Sequence, residues 1–310
     1  MSDVNNLPAI EKLVILGAGP AGLSAALYAA RADLNPLVVI GSALGGQASL
    51  TFTIENYPGF PDGVGGAELG ELFQKQAERF GARFEFDMVK SVDFSAKPYR
   101  IQTYGRTILA ESVILSTGAS PVHLNVPGEV SLTGKGVSYC GTCDGWFFKG
   151  KNIAVVGGGD SALEEGIFLT RFAESVTIIH RRDSLRAGAI LQERAFQNPK
   201  IKFIWDTVVD SINGTDKVET VTTRNVKTGE VKDLPFDGVF VFIGHSPNSD
   251  ILGDQIEKDS QGYVKIDKYY QTNVPGVYAA GELADPHYKQ VVVSAGMGAA
   301  AAMEVQKYLE

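Results

Sequence analysis

Two cysteines separated by two residues are the most reactive feature of the chain. Cys140 and Cys143 lie in the stretch YCGTCDGWFF, and they are the only cysteines among 310 residues. In proteins a pair at this spacing forms half of a zinc site, a structural clip or a redox centre. Asp144 follows directly, and an acid beside a thiol can move a proton during disulfide exchange. Its alternative role is to cap the N-terminus of a helix.

The number of available ligands argues against zinc. A structural zinc site needs four ligands, commonly supplied by a second cysteine pair or a histidine pair. The chain has no further cysteine, and its four histidines are isolated from one another: His123, His180, His245 and His287. We therefore expect no metal site.

Two segments share the pattern of a nucleotide-binding turn. Leu13–Gly22 reads LVILGAGPAG and Ile153–Ala162 reads IAVVGGGDSA, and each combines an apolar run, a glycine turn and a helical pattern. The glycines permit the turn, let the backbone approach a pyrophosphate and allow the helix to pack on the strand. A second apolar strand follows each turn, at Pro36–Ile40 and Ser175–Ile179. The repeat predicts two dinucleotide-binding folds.

The ends of these second strands distinguish the two ligands. Ser175–Ile179 is followed by HRRDSLR, which supplies His180, Arg181, Arg182 and Arg186. Guanidinium groups at this position are suited to the 2′-phosphate of NADPH, although a solvated basic edge is the alternative. Pro36–Ile40 is followed by no acidic residue, so a standard NAD site is not expected there. The loops around GGQ and ENYPGF fit a large flat ligand instead.

Composition and charge exclude several classes of protein. The chain has a mass of 33.2 kDa, which is enough for two domains, and 44% of its residues are hydrophobic. A net charge of −8 argues against a nucleic-acid-binding surface. Ala295–Met303 is too short and too rich in Ala and Gly to span a membrane, and the N-terminus lacks the pattern of a secretory signal. We expect a cytoplasmic protein, in which a structural disulfide would not persist.

Taken together and in order, the motifs GAGPAG, GGQ, ENYPGF, STGA, CGTCDG, GGGDSA, HRRDSLRA, AAGE and SAGMGAAAA closely resemble the low-molecular-weight thioredoxin reductases. These are flavoproteins that depend on FAD and NADPH. The resemblance implies an α/β fold with two Rossmann-like domains of the three-layer β/β/α type. It places a discontinuous FAD domain at residues 1–119 and 244–310, with an NADPH domain at 120–243 inserted between. Hinges are expected near Ala119–Pro121 and Gly244–Pro247.

The resemblance also implies which residues bind the cofactors. For FAD these are Gly17, Gly19, Pro20, Ala21, Gly22, Gly46, Gln47, Asn56, Thr117, Gly118, Gly281, Glu282, Lys289, Gln290 and Val291. For NADPH they are Gly157, Gly159, Asp160, Ser161, His180, Arg181, Arg182 and Arg186. Two positions depart from the family, which has aspartate in place of Glu282 and arginine in place of Lys289. A last helix starting near Val293 is expected to direct its N-terminal dipole at the flavin.

The same resemblance assigns the catalytic roles. Cys143 faces the flavin, Cys140 attacks the disulfide of thioredoxin, and Asp144 protonates the departing thiolate. Trp146 and Phe147 are expected to contact the partner, with burial in the core as the alternative. The domain that carries both NADPH and the cysteines must rotate to present each in turn to the flavin. A homodimer is also implied.

Three other functions use part of this layout. A flavoprotein oxidase of small dithiols has no need of the arginine-rich site, and a ferredoxin or flavodoxin reductase has no need of the cysteine pair. A structural or nucleotide-sensing flavoprotein would be unaffected by Cys140→Ser. The chain length also argues against an alkyl hydroperoxide reductase component, which carries an additional N-terminal redox domain.

Overall fold

The computed structural model describes residues 9–51, 53–54 and 56–310. The chain divides into two compact units: unit 1 comprises Met1–Ser120 with Ser246–Glu310, and unit 2 comprises Pro121–His245. These boundaries lie within two residues of the expected positions at 119/120 and 243/244. Two short strands at Ala119–Pro121 and His245–Pro247 carry the chain across the boundary, and they pair with each other.

The helices and strands follow one another in this order: β1 (Ile10–Leu16), α1 (Pro20–Arg31), β2 (Leu37–Val39), α2 (Gly66–Glu78), β3 (Arg83–Glu85), β4 (Val89–Asp93), β5 (Tyr99–Thr103), β6 (Thr107–Leu115), β7 (Ala119–Pro121), β8 (Val137–Ser138), α3 (Gly141–Asp144), β9 (Asn152–Gly157), α4 (Asp160–Leu169), β10 (Ser175–Ile179), α5 (Ala189–Gln197), β11 (Ile201–Ile204), β12 (Thr207–Asn213), β13 (Thr220–Asn225), β14 (Val231–Pro235), β15 (Gly238–Phe242), β16 (His245–Pro247), β17 (Val277–Ala279) and α6 (Val291–Leu309). Short 3₁₀ helices occupy Gly46–Leu50, Gly145–Phe148, Asp250–Leu252 and Gly281–Leu283.

Unit 1 is built on a sheet in the order β3-β2-β1-β6-β5-β4, with β17 also pairing with β6. Strands β3, β2, β1, β6 and β17 are parallel to one another, whereas β5 and β4 add an antiparallel extension next to β6. Alternate side chains of β1 face opposite sides because successive residues of a strand point in opposite directions. Leu13 and Ile15 pack under α1 and α6, and Val14 and Leu16 pack on the opposite face.

Helix α6 approaches α1 closely because small residues line the contact. A Cβ on Gly298 would lie 1.9 Å from the Ala21 carbonyl oxygen, and Ala301 and Ala302 are buried. The helix begins at Val291, two residues before the expected start. In the described part of the chain, no helix is long and apolar enough to cross a membrane.

Unit 2 has three layers. Its central parallel sheet has the order β11-β10-β9-β15-β8. Ile153 and Val155 of β9 pack toward the helices, while Ala154 and Val156 pack toward the antiparallel sheet β12-β13-β14. The expected α/β class with two Rossmann-like units, one inserted in the other, is confirmed.

Candidate active site

The functional residues of each unit follow the carboxyl ends of its parallel strands. In unit 1 these ends lead into Gly17 after β1, Gly41 after β2, Ser116 after β6 and Gly281 after β17. Parallel strands bring such ends to one edge of the sheet, where open α/β sheets bind their ligands. All of the predicted FAD contacts belong to unit 1.

The first glycine turn needs glycine for two different reasons. Gly17 has φ +104°, which side chains disfavour, and a Cβ on Gly22 would lie 1.9 Å from the Gly17 carbonyl oxygen. Gly19, in contrast, has no atom within 4 Å of its Cβ position. The start of α1 therefore faces open space, and backbone N–H groups at such a helix end can bind a pyrophosphate.

Other predicted FAD residues converge on this turn. A Cβ on Gly46 would lie 3.1 Å from Gly19 Cα, and one on Gly281 would lie 2.9 Å from Ala21 Cβ. Thr117 also borders the turn, since its Cα lies 3.2 Å from the Cβ position of Gly17. Pro20 begins α1, Gln47 lies in the adjacent 3₁₀ helix, and Gly118 has φ +69° with open space at its Cβ position.

Asn56 and Gln290 meet although 234 residues separate them in the sequence. The Asn56 amide Nδ2 donates to Gln290 Oε1 at 3.1 Å. Gln290 is the N-cap of α6 and Val291 is its first residue, so the contact ties the segment at Asn56 to the helix start.

Glu282, one of the two departures from the family, has a raised pKa. The pKa of Glu282 is raised to about 7 from 4.5, chiefly by burial; Lys289 opposes the rise, and nearby Asp285 adds to it. Sequence reasoning missed Asp285, whose carboxylate accepts the His287 backbone N–H at 2.9 Å. Glu282 therefore changes charge near neutral pH instead of remaining ionised.

The second glycine turn connects β9 to α4 in unit 2. A Cβ on Gly157 would lie 2.4 Å from the Phe242 carbonyl oxygen, whereas Gly159 has no atom within 4 Å of its Cβ position. The start of α4 is thus open, as is that of α1. Asp160 begins α4, and its Oδ1 accepts the Gly188 backbone N–H at 2.7 Å. Ser161, the next residue of the helix, is exposed.

The arginine-rich loop folds back onto this turn. The Arg186 backbone N–H donates to the Gly158 carbonyl oxygen at 2.7 Å. The structure buries the His180 ring under Gly158, where a Cβ would lie 2.3 Å from the ring, and Nε2 lies 3.0 Å from the Ser184 carbonyl oxygen. Burial is the main reason that the pKa of His180 is lowered. The His180 ring therefore fixes the position of the arginine-rich loop by packing against Gly158 and lying within hydrogen-bond distance of Ser184.

The side chains of Arg181, Arg182 and Arg186 lie on the outside of this loop. All three residues are exposed. Within residues 9–51, 53–54 and 56–310, no ion pair joins their guanidinium groups to a carboxylate. The acidic neighbour Asp183 is paired with Lys227 at 3.0 Å instead. Three guanidinium groups therefore remain available for an anionic group.

Cys140 and Cys143 form a disulfide across the start of α3. Cys140 is the N-cap of the helix, and its Sγ accepts the Cys143 backbone N–H at 3.2 Å. The same N–H can stabilise a Cys140 thiolate after reduction, since a helix N-terminus favours negative charge. The pair follows the carboxyl end of β8, which is at the same sheet edge as the glycine turn.

Asp144 is held by a residue that sequence reasoning missed. Ser138 Oγ donates to Asp144 Oδ2 at 2.6 Å and accepts the Cys140 backbone N–H at 3.1 Å. Burial raises the pKa of Asp144, and the Ser138 hydrogen bond partly offsets the rise. Asp144 lies at the N-cap position of the Gly145–Phe148 helix, as the capping alternative expects, but its side chain makes no capping hydrogen bond there. The only sequence feature that could have identified Ser138 is that it is a small polar residue two positions before Cys140.

A second network fixes the residue before Cys140. Tyr139 Oη donates to Glu129 Oε1 at 2.9 Å and lies 2.8 Å from His123 Nδ1. The Glu129 carboxylate is buried and also accepts the backbone N–H groups of Leu124 and Asn125, each at 2.8 Å. Burial is the first cause that raises the pKa of Tyr139, followed by Glu129. The network anchors the redox segment to the chain that follows β7.

The three aromatic residues after Asp144 differ in exposure. Trp146 is 51% exposed and Phe147 is 42% exposed, whereas Phe148 is buried. The core alternative is therefore wrong for Trp146 and Phe147. Among the described residues, no group of three or more His, Cys, Asp or Glu side chains is arranged to hold a metal ion.

Known proteins with similar sequences and structures span nearly the whole chain. The family model for pyridine nucleotide-disulphide oxidoreductases matches residues 11–298. A thioredoxin reductase of Streptomyces coelicolor is 47% identical, covering 100% of this chain and 95% of its own length. A bifunctional thioredoxin reductase/thioredoxin of Mycobacterium leprae is 47% identical over 97% of this chain and 66% of its own length. The crystal structure of a Streptococcus pyogenes thioredoxin reductase superimposes with a TM-score of 0.91 at 44% identity, covering 97% of this chain and 98% of that one.

Proposed function

Because the chain belongs to the pyridine nucleotide-disulphide oxidoreductases, in the branch of the thioredoxin reductases, we propose that it uses NADPH to reduce the disulfide of thioredoxin through FAD and the Cys140–Cys143 pair. The resemblance drawn from the sequence is confirmed for family, fold and oxidoreductase class. The observation that carries the proposal is the Cys140–Cys143 disulfide at the ligand-binding edge of unit 2, with the Ser138–Asp144 hydrogen bond beside it.

FAD fits unit 1. The open start of α1 at Gly19 leaves room for the pyrophosphate, and the converging segments at Gly46, Thr117 and Gly281 surround that space. Glu282 has replaced aspartate but keeps a carboxyl group that can exchange hydrogen bonds with a polyol chain. When bound, FAD supplies the two-electron transfer between a nicotinamide and a disulfide.

NADPH fits unit 2. The open start of α4 at Gly159 suits a second pyrophosphate, and the exposed guanidinium groups of Arg181, Arg182 and Arg186 suit the 2′-phosphate. His180 serves as a positioning residue, because its ring is buried between the glycine turn and the loop. Asp160 positions the same loop through Gly188.

The cysteines carry out the exchange with the protein substrate. After the disulfide is reduced, the Cys140 thiolate attacks one sulfur of thioredoxin, forming a mixed disulfide and releasing the other sulfur as a thiolate. Asp144, whose pKa is raised by burial, gives that thiolate its proton. The Cys143 thiolate then attacks Cys140 Sγ, which restores the Cys140–Cys143 disulfide and releases the second sulfur of thioredoxin as a thiolate, which takes a proton from solvent to complete the dithiol. In the full cycle NADPH and one proton reduce the thioredoxin disulfide to a dithiol, and NADPH becomes NADP⁺.

The proposed NADPH site and the cysteine pair both belong to unit 2, and each of them must reach the flavin in turn. Unit 2 must therefore change its orientation during the cycle. We place the hinges in β7 and β16, the paired crossing strands of three residues each. The family resemblance supports a homodimer and a cytoplasmic location, where NADPH is at hand. Sedimentation tests the first, and cell fractionation tests the second.

Anaerobic titration of the flavin tests the proposed reaction. NADPH should bleach the flavin absorbance of the holoenzyme, and oxidised thioredoxin should restore it. The Cys140→Ser variant should bleach in the same way but should not be reoxidised by thioredoxin. Failure of NADPH to bleach the wild-type flavin contradicts the donor assignment, and bleaching without reoxidation contradicts the acceptor assignment.

A further inference from the structure

Lys227 connects the arginine-rich loop to a hairpin turn that lies much further along the chain. Its Nζ donates to Asp183 Oδ2 at 3.0 Å, across 44 residues of sequence. The same Nζ lies 3.0 Å from Asp206 Oδ1. Asp183 belongs to the arginine-rich loop, Asp206 to the turn between β11 and β12, and Lys227 to the turn between β13 and β14. One cation therefore compensates two carboxylates that come from two other segments.

Backbone hydrogen bonds fix the position of Lys227. Asn225 Oδ1 accepts the Lys227 backbone N–H at 3.0 Å, which stabilises the hairpin turn. The Val226 N–H donates to the Asp206 carbonyl oxygen at 2.6 Å, and the Asp206 N–H donates to the Arg182 carbonyl oxygen at 3.2 Å. The hairpin turn, the Asp206 turn and the arginine-rich loop are thus linked in series. The contact of Lys227 with Asp183 follows from this framework and not from a long side chain alone.

Asp183 is poorly placed for a site that binds an anion. It follows Arg182 directly and lies three residues before Arg186, so it is surrounded in sequence by the proposed ligands of the 2′-phosphate. The hydrogen bond from Lys227 and the charge of Lys227 lower the pKa of Asp183, which is ionised at neutral pH. A carboxylate without this partner would pair with one of the guanidinium groups or repel the phosphate. Either outcome weakens the binding of a phosphorylated cofactor.

We propose that Lys227 determines the preference for NADPH over NADH, because it compensates Asp183 and Asp206 and holds the Asp183 carboxylate away from the 2′-phosphate. This inference rests on the proposed function. Lys227 acts through Asp183 and is a positioning residue. NADH carries a neutral hydroxyl in place of the 2′-phosphate, so a change of charge in the loop acts on NADPH and leaves NADH almost unaffected.

Other charges near the loop do not replace Lys227. In the part of the chain that the structure describes, no other cation forms an ion pair with Asp183 or Asp206. Helix α4 adds two carboxylates, Asp160, which accepts the Gly188 N–H, and Glu164, which is exposed. Both remain in every variant of Lys227, so their effect cancels when variants are compared.

The test measures the dissociation constants of NADP⁺ and NAD⁺ for the oxidised holoenzyme by isothermal titration calorimetry, at low and high salt. Wild type should bind NADP⁺ more tightly than NAD⁺. Lys227→Gln should weaken NADP⁺ binding by about 5-fold at low salt, and by less at high salt, because exposed charges are screened. Its dissociation constant for NAD⁺ should equal that of wild type.

A second substitution separates charge from structure. Asp183→Asn in the Lys227→Gln background should recover most of the lost NADP⁺ affinity, because the carboxylate that Lys227 compensated in the loop is then absent. Lys227→Arg should keep the wild-type preference, since a guanidinium can also bind two carboxylates. The matched control is Lys232→Gln in the same hairpin: Lys232 is 58% exposed, as is Lys227, and it pairs with Glu230 at 2.9 Å. This control should bind both nucleotides as wild type does.

The possible results lead to different conclusions. An unchanged ratio of the two dissociation constants in Lys227→Gln overturns the role of Lys227, and so does an equal loss of NADP⁺ and NAD⁺ binding that Asp183→Asn does not reverse. The same loss in Lys232→Gln overturns it as well, because the effect would then belong to any cation of the hairpin. A wild type that does not distinguish NADP⁺ from NAD⁺ refutes the proposed use of NADPH and, with it, this inference.

Discussion

Replacing Glu282 by glutamine should remove a specific pH dependence from the stability of unit 1. Burial raises the pKa of this carboxyl to about 7 in the folded protein, against 4.5 in its ordinary state. Between these two values the folded carboxyl holds a proton that the unfolded one has lost. The free energy of unfolding therefore falls as pH rises from 4.5 to 7 and is level above that window.

The magnitude follows from the shift of 7 − 4.5 = 2.5 pH units. At about 1.36 kcal/mol per unit, wild type loses about 3 kcal/mol across the window through this group alone. Glutamine has no charge to bury, so Glu282→Gln does not suffer this loss. The variant should gain stability relative to wild type by about 3 kcal/mol between pH 5 and pH 8.

Urea unfolding of the flavin-free protein at a series of pH values, followed by circular dichroism, measures this difference. Both tryptophans, Trp146 and Trp205, lie in unit 2, so their fluorescence reports that unit as an internal reference. Glu71→Gln removes an exposed carboxylate of unit 1 and controls for net charge. The reasoning is refuted if the difference in the free energy of unfolding between Glu282→Gln and wild type stays constant with pH, or if it shrinks as pH rises.

Three further predictions concern the redox centre and the second glycine turn. Asp144→Asn should lower thioredoxin turnover by about 100-fold, because the leaving thiolate loses its proton donor, while stopped-flow reduction of the flavin by NADPH is unchanged. Ser138→Ala should move the pKa that limits turnover upward, because a hydrogen bond that favours the ionised carboxyl of Asp144 is lost; a pH–rate profile identical to wild type would contradict this. Gly158→Ala should destabilise unit 2 by about 2 kcal/mol or more, since its Cβ would lie 2.3 Å from the His180 ring. Gly159→Ala, in contrast, places its Cβ in open space. This variant should fold normally and bind NADPH more weakly. Urea unfolding and NADPH titration separate the two glycine variants, and equal stability of both would refute the packing argument.

The features that could be read from the sequence are those that short segments encode. The two glycine turns, the strands before them and the small residues of α6 follow from local backbone geometry and hydrophobic periodicity. The residue type and spacing of Cys140 and Cys143 indicate thiol–disulfide chemistry. Even so, the start of α6 was misplaced by two residues, because the boundary depends on the Gln290 cap and its contact with Asn56.

The properties that only the tertiary structure decided depend on distant segments. Trp146, Phe147 and Phe148 have the same hydrophobic character in the sequence, yet packing against β15 and its neighbours buries the third alone. The raised pKa of Glu282 and of Asp144 arises from burial, which no local pattern reports. Residue types thus determined which reactions this chain can perform. Packing determined which side chains reach solvent, which carry a proton near neutral pH, and which merely hold the others in place.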